Sequence, residues 1–329
     1  MKIFISIASY QDPLLAQTIN DAYSNAERKE NLIFGICDQS RSELNFNDFI
    51  FAKQIRYEHI DPLLAKGPCW ARARIQAFYD NEDFYLQIDS HMLFEQGWDT
   101  ILLKAFEEIQ SQSLYHPYFE KPVITGYPRG FEYLEDGSIK KLSDELFVMP
   151  TAYRKDSLFI KDAFSRQIGL RTKKKDYCHG FLVAAGCLFS SGSIVKDVPY
   201  DDNYYFYGEE ISTVLRLFTS GYSMFHMPSL PIFHLYEEKQ KEKRPLHWDK
   251  EEDKNRAIKW HTLEQKSLER LSMLIQNNIS GKFGLGNKTT IEDYTKLSGV
   301  DLAKRQVIDF ERATTNSFFQ DEDWKNPPL

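Results

Sequence analysis

Residues 1–37 read MKIFISIASYQDPLLAQTINDAYSNAERKENLIFGIC, and they decide the fold. Residues 3–8 form a short apolar run, the pattern of a buried strand. Tyr10-Gln-Asp-Pro13 stops it with turn-forming residues. Residues 14–26 carry apolar side chains at helical spacing, and residues 31–37 make a second buried strand. Strand, turn, helix and strand in that order build a parallel sheet with a right-handed crossover. The chain therefore opens as an α/β protein.

Outward from this unit, residues 55–59 read as a third strand, 68–79 as a helix and 84–88 as another strand. That strand ends in Asp89-Ser-His91, and residues 98–109 are helical after it. Residues 122–126 and 182–189 have the look of further strands, and 209–220 of a helix. Short extended pieces are expected at 224–227 and 231–234, then a strongly charged helix over 249–276. After Gly281 the chain is rich in Gly and Asn, turns helical again over 291–298, and ends in an acidic stretch with Pro327-Pro328 that is expected to be loose. With 329 residues, this predicts one large α/β domain over 1–248 and a mostly helical extension over 249–329 packed on it.

Composition narrows the function. Hydrophobic residues make up 42% and charged residues 27%, a globular balance. A net charge of −7 argues against nucleic acid or an anionic membrane as partner, because polyanions need a basic surface. Basic clusters at 171–175 and 239–244 suit a single phosphate group better than a polymer. The 18 Tyr and 24 Phe offer stacking surface for bases and sugar rings, although a Phe-rich core accounts for most of them. Cys37, Cys69, Cys178 and Cys187 match neither a zinc ribbon nor a disulfide framework. They fit a reducing compartment, and the first apolar run is too short for a signal sequence. No stretch approaches the roughly 18 apolar residues of a membrane-spanning helix, so a cytoplasmic location is expected.

Four sequence features carry chemistry. Asp89 and His91 follow a strand at the place where open α/β sheets gather ligands, and a carboxylate with an imidazole suits a divalent cation. Taken alone they more often describe a strand-end carboxylate and a solvated histidine. His234, at the end of Pro231-Ile-Phe-His234, can complete an Asp/His/His set, although His226 and His247 compete for that place. Gly186, in Ala184-Ala-Gly-Cys-Leu-Phe189, allows a ligand close to the backbone. Tyr207-Gly-Glu-Glu210 puts two carboxylates at a helix start, where they complement the dipole or hold sugar hydroxyls.

In this order the pieces resemble the GT-A glycosyltransferases that form α-linked N-acetylhexosamine. The nearer resemblance is to the hydroxyproline-linked polypeptide N-acetylglucosaminyltransferases, glycosyltransferase family 60. It is carried by Phe4-Ile-Ser-Ile-Ala-Ser-Tyr10 with Asp12-Pro13, by Gly67-Pro68 through Ala71-Arg72, and by Leu86-Gln-Ile-Asp-Ser-His91 with Phe94 and Trp98. Tyr207-Gly-Glu-Glu210, His247-Trp248, Gly284-Leu-Gly286, and Thr290 with Ser298-Gly-Val-Asp301 extend it over nearly the whole chain. More distantly, the chain resembles the polypeptide N-acetylgalactosaminyltransferases, with Cys187 in place of a glycine and Glu210 in place of an asparagine.

The resemblance implies a GT-A fold, a Rossmann-like mixed sheet with a helical C-terminal extension. It implies Asp89, His91 and His234 as ligands of Mn²⁺ or Mg²⁺, and a UDP-sugar, UDP-GlcNAc first, as donor. Ser9, Tyr10 and Asp12 are expected at the uracil or ribose, and Arg72 at the nucleotide, with Arg74 as the fallback. Ala185 and Gly186 are expected to line the sugar pocket, and Glu209, with Glu210 beside it, the reacting face. Lys239, Lys241, Arg244 and His247 are candidate phosphate contacts in a loop that closes over UDP, and Trp248 is a lid or acceptor platform. The anomeric configuration is expected to be retained, by front-face attack or through a covalent intermediate on Glu209 or Glu210. The acceptor is a hydroxyl on a protein or glycan, and the oligomeric state stays open. Rival readings are another UDP-sugar on the same chemistry, a metal-dependent hydrolase, and a non-catalytic sugar-nucleotide binder.

Overall fold

The computed structural model describes residues 1–114, 120–154, 167–173, 175–236 and 243–315. β1 (Ile3–Tyr10) is apolar on both faces and buried along nearly its whole length, which places it inside a sheet. α1 (Leu15–Asn25) buries Leu15, Thr18, Ile19 and Ala22, one stripe at helical spacing. β2 (Leu32–Gln39) and β3 (Ile55–Ile60) follow, then α2 (Pro68–Gln76) and β4 (Phe84–Ile88). Next come β5 (Met92–Phe94), α3 (Trp98–Ser111), β6 (Pro122–Thr125), β7 (Arg129–Tyr133) and β8 (Ile139–Lys141). The short strands β9 (Phe147–Val148), β10 (Leu170–Arg171) and β11 (Cys178–Gly180) lead to β12 (Cys187–Ser191), α4 (Ile194–Asp197) and α5 (Glu209–Thr219). After β13 (Ser223–His226) and β14 (Ile232–His234) the chain is mainly helical: α6 (Lys250–Asp253), α7 (Trp260–Ile275) and α8 (Ile291–Ser298). β15 (Val300–Asp301), β16 (Gln306–Val307) and α9 (Phe310–Thr315) end the described chain.

The main sheet has eight strands in the order β11-β13-β6-β12-β4-β1-β2-β3. β4, β1, β2 and β3 run parallel, and β12 lies antiparallel between β4 and β6. The order reverses at β1, whose neighbours are β2 and β4, and a crevice opens beyond the carboxyl ends of strands at such a point. A second sheet, β5-β14-β7-β8, brings His234 of β14 opposite Met92 of β5. It thereby joins the segment after Asp89 to the segment that ends in His234.

One apolar core lies around β1, α1 and α3, with Trp98 fully buried and its indole N–H donating to Ala22 O at 2.8 Å. The other lies around α2 and α5 and includes Leu271, Ile275, Tyr294, Leu297, Val300 and Leu302. The C-terminal helices thus share a core with the sheet.

Two expected elements differ. The strand expected over 182–189 begins only at Cys187, because a turn closed by Cys187 N–H to Ala184 O occupies the residues before it. The charged helix expected over 249–276 is two helices. Asp253 Oδ1 accepts the Trp260 N–H at 3.0 Å, and Lys259 Nζ donates to the carbonyls of Asp253, Lys254 and Arg256. These side-chain bonds replace helical ones over the break. Residues 321–329 lie outside the described residues.

Candidate active site

Asp89 stands one residue past β4, His91 one residue before β5, and His234 closes β14. The sequence-expected trio therefore converges, with one ligand atom from each lying within 4.8 Å of the others. The two imidazole Nε2 atoms face each other at 2.8 Å, and His234 Nε2 is 3.4 Å from Asp89 Oδ2. Ligand atoms about 2.1 Å from an ion in an octahedral shell stand about 3 Å apart, so the spacing fits a divalent cation. Burial, aided by His91, pushes His234 down to about 4, which keeps it neutral and able to ligate. Burial acts to raise Asp89, but its hydrogen bond to His234 and the Arg72 guanidinium outweigh this and hold it well below the usual carboxylate range.

Behind His91 stands Asp12. Its Oδ2 accepts from His91 Nδ1 at 2.7 Å, from Ser90 Oγ at 2.7 Å and from Arg244 Nη1 at 3.0 Å. A carboxylate on the far nitrogen of a histidine fixes its tautomer and aims its Nε2. Asp12, expected at the uracil or ribose, stands behind His91 and lines a cavity with Ser9 and Tyr10. His234 Nδ1 has no such partner among the described residues.

Two cavities meet at Asp89 and His234. The first, about 350 Å³, is lined by Ser9, Tyr10, Gln39, Arg244, His247 and Trp248 among others. The second, about 400 Å³, is lined by Arg72, Ala185, Gly186, Glu209, Glu210 and Tyr127 among others. Every described residue expected at the donor therefore faces one cavity or the other, apart from the fallback Arg74, whose guanidinium pairs with Glu58. Lys239 and Lys241 lie outside the described residues.

In the first cavity Gln39 Nε2 donates to Ser9 O at 2.9 Å, and Gln39 Oε1 is buried without a partner among the described residues. Tyr10 OH donates to Glu252 Oε2 at 2.9 Å and accepts from Arg256, which ties the end of β1 to the C-terminal helices. Both nitrogens of His247 are engaged, Nδ1 with Tyr205 OH at 2.8 Å and Nε2 with Ala65 O at 3.0 Å. His247 therefore presents a ring face rather than a nitrogen. Trp248 is 38% exposed and packs edge-on against Phe206.

In the second cavity Arg72 is the hub. It enters from α2, whose start is set by Gly67 at φ +99° and Pro68. Its guanidinium donates to Glu209 and Tyr200 OH, and to Asp89 Oδ1 at 3.1 Å. Tyr200 OH also donates to Glu209, and Gln87 Nε2 reaches Tyr200 OH at 3.0 Å. Arg72 was expected to reach a nucleotide, and its charge is here shared between two carboxylates. Glu210 receives the Ala185 N–H at 2.8 Å, and burial pushes its carboxyl up to about 7. Gly186 abuts Asp89 so closely that a Cβ there would lie 2.7 Å from Oδ2.

Gln39, Tyr200 and Phe206 escaped the sequence reading, and Gln87 was read in Leu86-Gln-Ile-Asp-Ser-His91 without a role of its own. Gln39 had one signal, its place at the carboxyl end of the strand beside β1. Phe206 stands just before Tyr207-Gly-Glu-Glu210, and Tyr200 sits in a segment with no distinguishing spacing.

The sequence profile of the family described as glycosyltransferase (GlcNAc) matches residues 2–46 and 43–304. No curated protein matches the chain in sequence. Among solved structures the chain is similar to GalNAc-T7 crystallised with UDP, GalNAc and Mn²⁺, at 11% identity and a TM-score of 0.52. That match covers 90% of this chain and 54% of GalNAc-T7, so the chain spans about half the length of that relative. It is also similar to Staphylococcus aureus TarS 1–349 in complex with UDP, at 10% identity and a TM-score of 0.44, over 91% of this chain and 78% of that one.

Proposed function

The chain belongs to the glycosyltransferase (GlcNAc) family and has the GT-A fold, and from that premise we propose that it transfers N-acetylglucosamine from UDP-GlcNAc to a hydroxyl of a protein or glycan. The observation that carries this reading is the convergence of Asp89, His91 and His234 where two cavities meet. We assign the cavity under Trp248 to the nucleotide and the cavity around Arg72 to the donor sugar. Gln39 Oε1, buried and without a partner among the described residues, suits an N–H of a base. Arg244, Tyr10 and Ser9 line the same cavity, and a guanidinium suits a diphosphate. GalNAc-T7, similar in fold, was crystallised with UDP and Mn²⁺, which is in keeping with both assignments.

Asp89, His91 and His234 would hold Mn²⁺ or Mg²⁺, and such an ion when bound supplies Lewis-acid neutralisation of the charge that develops on departing UDP. Ala185 and Gly186 bring bare backbone to the sugar pocket. Glu209 keeps lone pairs for donor hydroxyls while Arg72 and Tyr200 fix its orientation. Glu209 shares its charge with Arg72 and Tyr200 through one oxygen, which lowers its nucleophilicity, and burial favours the neutral form of Glu210 below about pH 7. This supports attack from the face that UDP leaves, with retention of configuration, over a covalent intermediate. No described helix is long and apolar enough to cross a membrane. Cys37, Cys69 and Cys187 are buried free thiols, which supports a reducing compartment such as the cytoplasm.

The test is UDP release from a panel of UDP-sugars with Mn²⁺, for the wild type and Asp89→Ala. UDP-GlcNAc should be preferred, and release should stop with EDTA and fall on the order of 100-fold in the variant. Release indifferent to chelator and substitution contradicts the proposal.

A further inference from the structure

Phe206, in the segment Tyr205-Phe-Tyr207, lines both cavities, as do Pro68, Asp89 and His234. The backbone of this segment is held from the C-terminal helix α7. Ser267 Oγ accepts the Tyr205 N–H at 3.1 Å and donates to Tyr207 O at 2.7 Å. Glu264 Oε2 accepts the Tyr207 N–H at 3.3 Å. Glu264 and Ser267 stand three residues apart, on one face of α7, and both are buried. From the other side, Cys69 Sγ donates to Tyr205 O at 3.4 Å, and a Cβ on Gly67 would lie 2.6 Å from the Tyr205 ring.

Packing alone does not call for these side chains. A buried carboxylate is costly to desolvate, and here one oxygen has no partner among the described residues. A leucine would fill the space without that penalty. What Glu264 and Ser267 add is fixed direction on both the N–H and the carbonyl of one residue, Tyr207. We propose that Glu264 and Ser267 are positioning residues for donor binding, which hold the 205–207 backbone so that Phe206 stands between the nucleotide cavity and the sugar cavity. The inference rests on the donor assignment above. It gives the helical extension a part in the reaction: without the clamp Phe206 shifts and UDP-sugar binds in a looser site.

The experiment measures KM and kcat for UDP release from UDP-GlcNAc, with melting temperature alongside. Four variants are compared: Ser267→Ala, Glu264→Leu, Glu264→Gln and the exposed control Lys266→Ala. Loss of one or two buried hydrogen bonds predicts a KM raised about three- to tenfold in Ser267→Ala and Glu264→Leu. Glu264→Gln keeps an acceptor oxygen, so it and the control should stay within about twofold of wild type. Wild-type KM in Glu264→Leu, or an equal defect in Leu and Gln, overturns the inference, because a packing role favours Leu and a positioning role favours Gln. That contrast decides the matter even if Ser267→Ala fails to fold. A wild type that neither binds nor turns over any UDP-sugar overturns the donor reading itself, and this inference with it.

Discussion

Gly186 has no room for a side chain, since an added methyl group would press on the Asp89 carboxylate. Gly186→Ala should therefore cut Mn²⁺-dependent UDP release by about tenfold or more, through displacement of a metal ligand rather than loss of fold. Assays of release beside circular dichroism would check this, and full activity would contradict it. Asp12→Asn removes the charge behind His91 and should weaken Mn²⁺ binding about 10- to 100-fold, as read by metal titration. At this scale the proposed metal-holding trio was legible because Asp89 and His91 flank one residue at a strand end and His234 ends another strand. The partnerships were not. Nothing in the sequence joins Asp12 to His91 or Arg72 to Glu209, because each pair is made by the fold across 79 and 137 residues.

Among the elements, β11 and β13 carry a pair of buried histidines, His179 and His226. Burial lowers His226 from 6.5 to about 4, with a hydrogen bond to Leu182 O opposing. The unfolded chain takes up this proton near pH 6.5 and the folded one near pH 4. The stability tied to neutral His226 is therefore whole above pH 6.5 and is lost as pH falls toward 4, by about 3 kcal/mol. Urea unfolding between pH 7 and 4.5 should show that decline, and His226→Gln should be less stable at pH 7 yet flatter with pH. An unchanged slope in the variant would refute the assignment. Apolar runs and helical spacing made β1 and α1 readable, and β4, β6 and β14 too, although they are short. β7 and β8 were not, because charged residues interrupt Arg129–Tyr133 and Ile139–Lys141. The break before α7 was hidden too: Asp253 and Lys259 interrupt the helix by hydrogen bonding to the backbone, without a glycine or proline to mark the place.

Over the whole molecule, the site is assembled from both ends of the chain. β1 and β4 supply the crevice, β14 brings His234 back to it, and the residues after 249 reach it through Glu252, Arg256 and the α7 clamp. Arg256 is 3% exposed and its guanidinium also bonds to Pro62 O and His247 O. Arg256→Ala would leave those acceptors and Asp253 without their buried partner, and should lower stability by about 3 kcal/mol while weakening UDP binding. Thermal melts with and without UDP would check both effects, and a variant that melts and binds like wild type would contradict them. The central claim is that Asp89, His91 and His234 hold a divalent ion against the nucleotide, and calorimetric titration of UDP tests it most directly. Wild type should bind UDP at least about tenfold more tightly with Mn²⁺ than with EDTA, and His234→Ala should bind equally weakly in both. If UDP binds the wild type as well in EDTA as in Mn²⁺, the three residues are not a metal site for this nucleotide and the account fails at its centre.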